Sequence, residues 1–540
     1  VLRSASSSNL LGDPMTKQSD HHEDSTEEVV LTTRLLAATV VAVVSQFLVG
    51  YNTAVMNAPE AIIFEGHTTL EWAFVVSAFA IGGPLGAVMG GRASNKYGRR
   101  GALLIDMWIF VISGLALALS PSIQVLIVAR FLVGVAAGFA SVVIPVYLGE
   151  IAPPTMRGAL GTCTQFAMVI GILVADLLAF PLAKPGMFWR MLLGVTPVLA
   201  AVQILLAPLL VESPRWRLSR DPNCKKARRD LYKLRGFRTH AELEHEVDHI
   251  LEASRTALTR HTSAHSGGAM WDLLTDRDVR VLVLSAVFLH VSQQLCGINA
   301  VFYYSNMFFD GIIENPLVAT TLTAFVNVLA TYVALRLMDI CGRRTLILWS
   351  CMGMLIGTML ITLALHGLVP KYVALLGVLA YVSFFEIGLG PVAWLFPAEV
   401  FDAKYVATAM SIGSQLNWFF NFVIGVCFPF LNSYLQAWTF VPFAVVLFLA
   451  FTFFSTYMPE PLGKTPNEIL QEIRGEDRSD YRNTFQYEIV GAETEVPGAS
   501  GYGALSRNGG GYYDRMENGH SMDEDAVKNR RPSADQTLTF

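Results

Sequence analysis

Apolar residues run along this chain in long unbroken blocks, without the strict alternation of a half-buried strand or the single stripe of a surface helix. Twelve blocks approach the roughly 20 residues that a bilayer-spanning helix needs. They lie near residues 31–56, 71–91, 102–120, 123–147, 159–181, 188–210, 280–309, 317–338, 345–367, 371–398, 406–430 and 436–458. The pattern predicts an all-α polytopic membrane protein whose twelve transmembrane helices form two six-helix halves. A charged stretch, Glu212 to Arg280, separates the sixth block from the seventh, and Lys225–Leu234 and Glu242–Ala253 within it are expected to be soluble helices. The expected divisions are a tail over 1–30, a bundle over 31–210, a linker over 211–279, a second bundle over 280–458 and a tail over 459–540. From about Gly475 the tail exchanges aliphatics for Gly, Ser, Asn, Glu and Asp, and is expected to be mostly disordered.

Composition strengthens the membrane reading. With 53% hydrophobic and 15% charged residues and a mean hydropathy of +0.45, the chain carries more apolar surface than a soluble core hides. The formal charge of −5 arises from acidic groups near the ends and gives nucleic acid no footing. Cysteines 163, 224, 296, 341, 351 and 427 form no CxxC pair, so neither a metal site nor a disulfide framework is expected. No cofactor is implied. The first thirty residues carry no signal-peptide pattern, and the first block is expected to be a retained helix.

Basic residues cluster in every second connection: Arg92, Lys96, Arg99 and Arg100, then Arg157, the Arg215–Arg238 group, Arg343 and Arg344, and Lys404. The positive-inside rule places those connections and both termini in the cytoplasm. The halves also repeat. Tyr97-Gly98-Arg99-Arg100 recurs as Cys341-Gly342-Arg343-Arg344, Gly149-Glu150 as Ala398-Glu399, and Glu212-Ser213-Pro214 as Pro459-Glu460-Pro461. Such a duplication is the arrangement of transporters with two parallel halves and a site between them.

Two constellations stand out. Gln165, Gln293, Gln294, Asn299, Asn327, Asn417 and Asn421, with Glu386 and Trp394, are spread over predicted spans of both halves. Amides donate and accept, as sugar hydroxyls do, and an indole offers a plate for the C–H faces of a ring. The bland alternative is that intramembrane amides only join helices. Gln293 and Asn299 share no face of an ideal helix, so a break is expected near Gly297, and another at Gly388, Gly390 and Pro391. The second constellation is Arg99, Arg100, Glu150, Arg157, Glu212, Arg215, Arg343, Arg344, Glu399 and Glu460 at the basic helix ends, where bidentate Arg–carboxylate pairs are expected to lock the halves together in one state. Topogenic charge without a gating role is its bland counterpart.

On GYNTAVMNAP (50–59), YGRR (97–100), GEIAPPTMRGALGT with Gln165, ESPRW (212–216), QQLCGINAVFYYS (293–305), GRRTL (342–346), FFEIGLGPVAWLFPAE (384–399), NWFFNFVIG (417–425) and PEPLGKT (459–465), the chain resembles the sugar porter family of the major facilitator superfamily. Within it, the chain is similar to the animal-type facilitative glucose transporters. The resemblance spans about residues 30 to 470 and implies alternating-access hexose transport at the plasma membrane, with sugar and lipid as partners and the tail left for cytoplasmic ones. It places sugar contacts on the amides above, with Gln46 and Phe385 at lesser pocket positions. The chain departs from the family in lacking a basic residue before Gly342, where Asp339-Ile340-Cys341 stands, and in having Val406 after the tenth span. No N-x-[ST] sequon occurs, so N-glycosylation is not expected.

Sugar–proton relatives place an Asp in the GY-x-T segment. Here Asn52 holds that coupling position, which favours uniport over proton–hexose symport. Asp176, expected near a hydrated helix end, and His290 are the substitutes that symport would need. A non-transporting sugar sensor would use the same pocket. No nucleophile–base pair, metal-ligand spacing or phosphate loop points to an enzyme.

Overall fold

Backbone groups in lipid must be satisfied within the chain, so the apolar blocks have only one local solution apart from a closed barrel. The computed structural model describes residues 31–474 apart from positions 238, 264–267, 277–278 and 403. The expected N-terminal tail and the expected disordered stretch from 475 onward lie outside the described residues.

The first half comprises α1 (Thr33–Ala54), α2 (Thr69–Ala118), α3 (Ile123–Ile151), α4 (Arg157–Leu182) and α5 (Phe188–Leu206). Helices α6 (Pro214–Arg220), α7 (Lys225–Arg235), α8 (His240–Ser263) and α9 (Gly268–Thr275) lie between the halves. The second half comprises α10 (Arg280–Leu295), α11 (Ile298–Phe309), α12 (Pro316–Ile340), α13 (Arg343–Leu365), α14 (Tyr372–Ile387), α15 (Leu389–Val400), α16 (Val406–Leu435) and α17 (Val441–Tyr457). Helix α18 (Pro466–Arg474) follows. Among the described residues ten helical runs are long and apolar enough to cross a membrane, and Val441–Tyr457 is a shorter apolar one. The 50-residue α2 contains two passes, which brings the crossings to twelve.

Helix α2 reads as one run because only Gly98 leaves helical geometry, at φ 84° and ψ 171°. The left-handed region suits glycine, and a Cβ there would also meet Glu212 Oε2 at 2.5 Å. The expected breaks are present as well. Gly297, at φ 91°, separates α10 from α11, and Gly388 alone separates α14 from α15, with Gly390 and Pro391 already inside the next helix. Small residues let the first half pack closely: Gly82 and Gly86 of α2 lie against the α3 backbone, and Gly134 and Gly138 of α3 lie against α2.

The halves meet along α2 with α16, where the Trp418 ring covers Gly83, and along α4 with α12, where Phe166 meets Tyr332 edge-on at 6.5 Å. The linker has a small core of its own, Leu218, Ala227, Leu231, Leu243, Val247 and Ile250. It is tied to the first half by Trp216 and Arg220 donating to the Asn95 carbonyl (3.2 and 2.8 Å) and by Arg235 donating to the Ile151 and Ala152 carbonyls (2.5 and 3.0 Å).

Candidate functional site

The break at Gly297 turns the last residues of α10 and the first of α11 toward α16, and four amides join there in one chain. Asn299 donates to Gln294, Gln294 donates to Asn417 Oδ1 at 3.0 Å, and Asn417 donates to Gln293 Oε1 at 2.5 Å. Gln293 in turn donates to the carbonyls of Leu389 (2.9 Å) and Gly390 (2.6 Å). One turn along α16, Asn421 accepts the Tyr303 hydroxyl at 2.9 Å. Helical spacing puts Asn417 and Asn421 on one face, and both are buried.

A second polar group joins the halves. The Glu386 carboxyl on α14 faces Thr331 on α12 and Gln165 on α4. Gln165 is half-buried, and Trp394 on α15 is 37% exposed with its ring edge-on to His290 at 5.0 Å. Gln46 and Phe385 are buried. Asn327 is fully buried, and neither side-chain polar atom finds a partner among the described residues. The structure thus assembles Gln293, Gln294, Asn299 and Asn417 directly and brings Gln165 to Glu386, while the Asn327 side chain joins neither network.

In this structure the charged constellation pairs within each half. Arg99 grips Glu150 through two bonds of 2.7 Å within the first half. Arg343 grips Glu399 through bonds of 2.9 and 2.8 Å within the second. Glu212 Oε1 accepts the backbone N–H groups of Arg99 (2.8 Å) and Arg100 (3.1 Å), and Glu460 accepts those of Arg343 (2.7 Å) and Arg344 (3.0 Å). The reason is the duplication: each Gly-Arg-Arg turn has its own carboxylates within reach in its own half, so each pair closes locally. Arg157 and Arg215 form no close ion pair among the described residues. Burial lowers the pKa of Arg215, and neighbouring Arg157 adds to the effect.

A bridge between halves occurs at the opposite end. Asn57, just beyond α1, donates to Ser305 Oγ at 2.7 Å and accepts the Asn306 N–H at 3.0 Å, both on α11. Ser305 Oγ also lies 3.0 Å from Thr320 Oγ1 on α12. Asn52, expected at the coupling position, donates to the Leu48 carbonyl (2.9 Å) and to Thr196 Oγ1 on α5 (3.0 Å). Asp176 is 3% exposed, so the expectation of a hydrated carboxylate there is not met: α4 turns it into the protein.

Comparison with known proteins decides the family. The model described as "Sugar (and other) transporter" matches residues 37–472. This chain belongs to the sugar porter family of the major facilitator superfamily. Among curated sugar porters it is 36% identical over 466 residues to the solute carrier family 2, facilitated glucose transporter member 3 of Oryctolagus cuniculus, covering 81% of this chain and 92% of the relative. It is 33% identical over 482 residues to member 1 of Gallus gallus, covering 84% and 96%. Among solved structures it is similar to the inward open conformation of the xylose transporter XylE from E. coli, with TM-score 0.69, 25% identity and coverage of 81% and 99%. The proton:xylose symporter XylE bound to 6-bromo-6-deoxy-D-glucose gives TM-score 0.66, 26% identity and coverage of 81% and 98%.

In this sugar porter, sequence reasoning passed over Asn57 and also Arg130 on α3. Arg130 is fully buried and donates to the carbonyls of Val75 (3.1 Å), Asn52 (2.8 Å) and Val76 (3.3 Å), with its guanidinium 4.9 Å from the Phe79 ring centre. A lone arginine inside an apolar block was the available signal. Asn57 gave none, since its role depends on a contact 248 residues away.

Proposed function

We propose that this sugar porter carries a hexose, glucose in preference to fructose, by alternating access and as a uniporter. The observation that carries the reading is the chain of four amides at the α10–α11 break. It offers donors and acceptors together beside the breaks of two spanning helices, as recognition of a neutral polyol requires. The conformation is inward-facing: Asn57 closes the end away from the basic connections, while Gln165 and Trp394 keep partial exposure. The basic connections and both termini face the cytoplasm, and the plasma membrane is the proposed location.

Uniport is supported by Asn52, whose amide cannot exchange a proton near neutral pH and is engaged with α5. Proton symport is the second reading, and the buried carboxyl of Asp176 favours it. The test is labelled-hexose flux into liposomes holding the purified protein, with and without an imposed inward proton gradient. Downhill flux without a gradient, and no uphill accumulation when one is imposed, supports uniport. Uphill accumulation that collapses with the protonophore overturns it, and loss of that accumulation in Asp176→Asn identifies the proton carrier. Equal competition by excess fructose and excess glucose overturns the substrate preference.

A further inference from the structure

The second pass of α2 carries a carboxyl that the transport site does not use. Asp106 lies within an apolar run and is fully buried. Neither oxygen has a hydrogen-bond partner that satisfies it among the described residues. Its polar neighbour is Ser45 on α1, and among the described residues no ion pair reaches it.

Ser45 has one proton to give. Its hydroxyl lies 3.2 Å from Gln203 Oε1 and 3.1 Å from Gln203 Nε2 on α5, and Gln203 also donates to the Val41 carbonyl at 2.7 Å. If the Ser45 proton goes to Gln203, Asp106 receives nothing; if it goes to Asp106, one carboxylate oxygen still goes without. An ionised carboxylate left in this state is costly inside a protein, and intramembrane carboxyls mark ion and proton sites.

We propose that Asp106, Ser45 and Gln203 form a site for one monovalent cation, a proton or an alkali ion, whose occupancy sets how freely α1 moves during transport. A proton makes Asp106 a donor to the neighbouring oxygens. An alkali ion is held by the carboxylate, Ser45 Oγ and Gln203 Oε1. The link to the sugar path is the seam between α1 and α5, which has two polar rungs seven residues apart on each helix: Ser45 with Gln203, and Asn52 with Thr196. Gln46, a pocket position by resemblance, follows Ser45 directly and is turned about 100° from it around α1. Occupancy at Asp106 therefore acts on the helix that carries Gln46. The effect on rate rests on the transport reading above, whereas cation binding does not.

Two measurements test the site on the purified full-length protein. Thermal unfolding is followed against pH at fixed salt, and against NaCl replaced by choline chloride at fixed pH. A bound proton raises the melting temperature by equal steps per tenfold rise in proton concentration, a bound alkali ion does so in the salt arm, and Asp106→Asn removes that response. No response in either arm, or a response in Asp106→Asn equal to the parent's, overturns the proposal. Should Asp106→Asn fail to fold, Ser45→Ala and Gln203→Leu keep the carboxyl and are expected to displace the midpoint of the responsive arm; an unmoved midpoint in both overturns it. In liposomes, hexose flux is expected to change several-fold across the same titration in the parent and not in Asp106→Asn. Flux that ignores the titration overturns the effect on rate. A melting response that depends on Asp106, without any hexose flux, upholds the site and overturns the transport reading.

Discussion

Replacing Gln293 with Ala tests the proposed sugar site most directly. Its amide makes two donor bonds, to the Leu389 and Gly390 carbonyls, and accepts one from Asn417. Truncation removes these three bonds and takes an amide from the sugar. One buried hydroxyl without its partner costs about 1–3 kcal/mol, equivalent to roughly a 5- to 150-fold loss of affinity. Water that reaches the vacated space can bridge part of the gap, so a loss of about tenfold is expected. The assay is calorimetric glucose binding to the purified Gln293→Ala and Gln293→Leu proteins, with Met187→Ala, at an exposed position, as the control of similar size. Both Gln293 variants should lose affinity, because Leu restores volume without hydrogen bonds. An unchanged dissociation constant together with a lowered melting temperature would mean that the amide only joins helices. Unchanged affinity in a protein of unchanged stability would refute the assigned site.

Charge reversal at Glu399 breaks the bidentate pair with Arg343, so it should lower the melting temperature and slow flux while glucose still binds; reversal at Arg157 should slow flux alone, and equal melting shifts in the two variants refute the distinction. Asn57→Ala removes two hydrogen bonds across the closed end, about 1–2 kcal/mol together, so labelling of a cysteine introduced at Ala58 should rise roughly 5- to 30-fold; unchanged labelling refutes the gate. Glu60 lies in the connection after α1, where burial holds its carboxyl above the usual range despite an opposing pull from His67. The loop as packed here is then favoured with Glu60 protonated, and this stabilisation is full below the ordinary carboxylate pKa and lost as pH rises through the raised value. Glu60→Gln should hold the loop shut at neutral pH and flatten the pH dependence of the same labelling, and an unaltered profile refutes it.

The features legible in the sequence are those fixed by local chemistry. Apolar length gives the helices, and the mismatch between Gln293 and Asn299 on an ideal helix points to the break that Gly297 supplies. The repeat of Gly-Arg-Arg with distant carboxylates announces paired clusters. What it does not announce is which half each carboxylate serves. That depends on how far the turn at Gly98 stands from Glu150 and Glu212, a distance set by helix packing rather than spacing along the chain. Asn57 and Arg130 were missed for related reasons. The first works through a partner in the other half, and the second satisfies itself on backbone carbonyls, which leave no mark in a sequence.

The position of Gln293 suggests how sugar binding and conformational change connect on the proposed reading. A ligand moves an equilibrium only by its differential affinity for two states. The side chain that would meet the sugar also holds the carbonyls of Leu389 and Gly390, immediately beyond the α14–α15 break at Gly388. A sugar hydroxyl competing for that amide changes the support of the break itself, whereas a hydroxyl held by Asn421, which is bonded to Tyr303, does so less directly. Amides at the break thus serve affinity and switching together, and those away from it serve affinity alone. Their substitutions should separate in kinetics: Gln293 variants should alter both the dissociation constant and the translocation rate, while Asn421→Ala should alter chiefly the dissociation constant. Gln293 variants that alter only the dissociation constant would mean that the break at Gly388 does not move during transport.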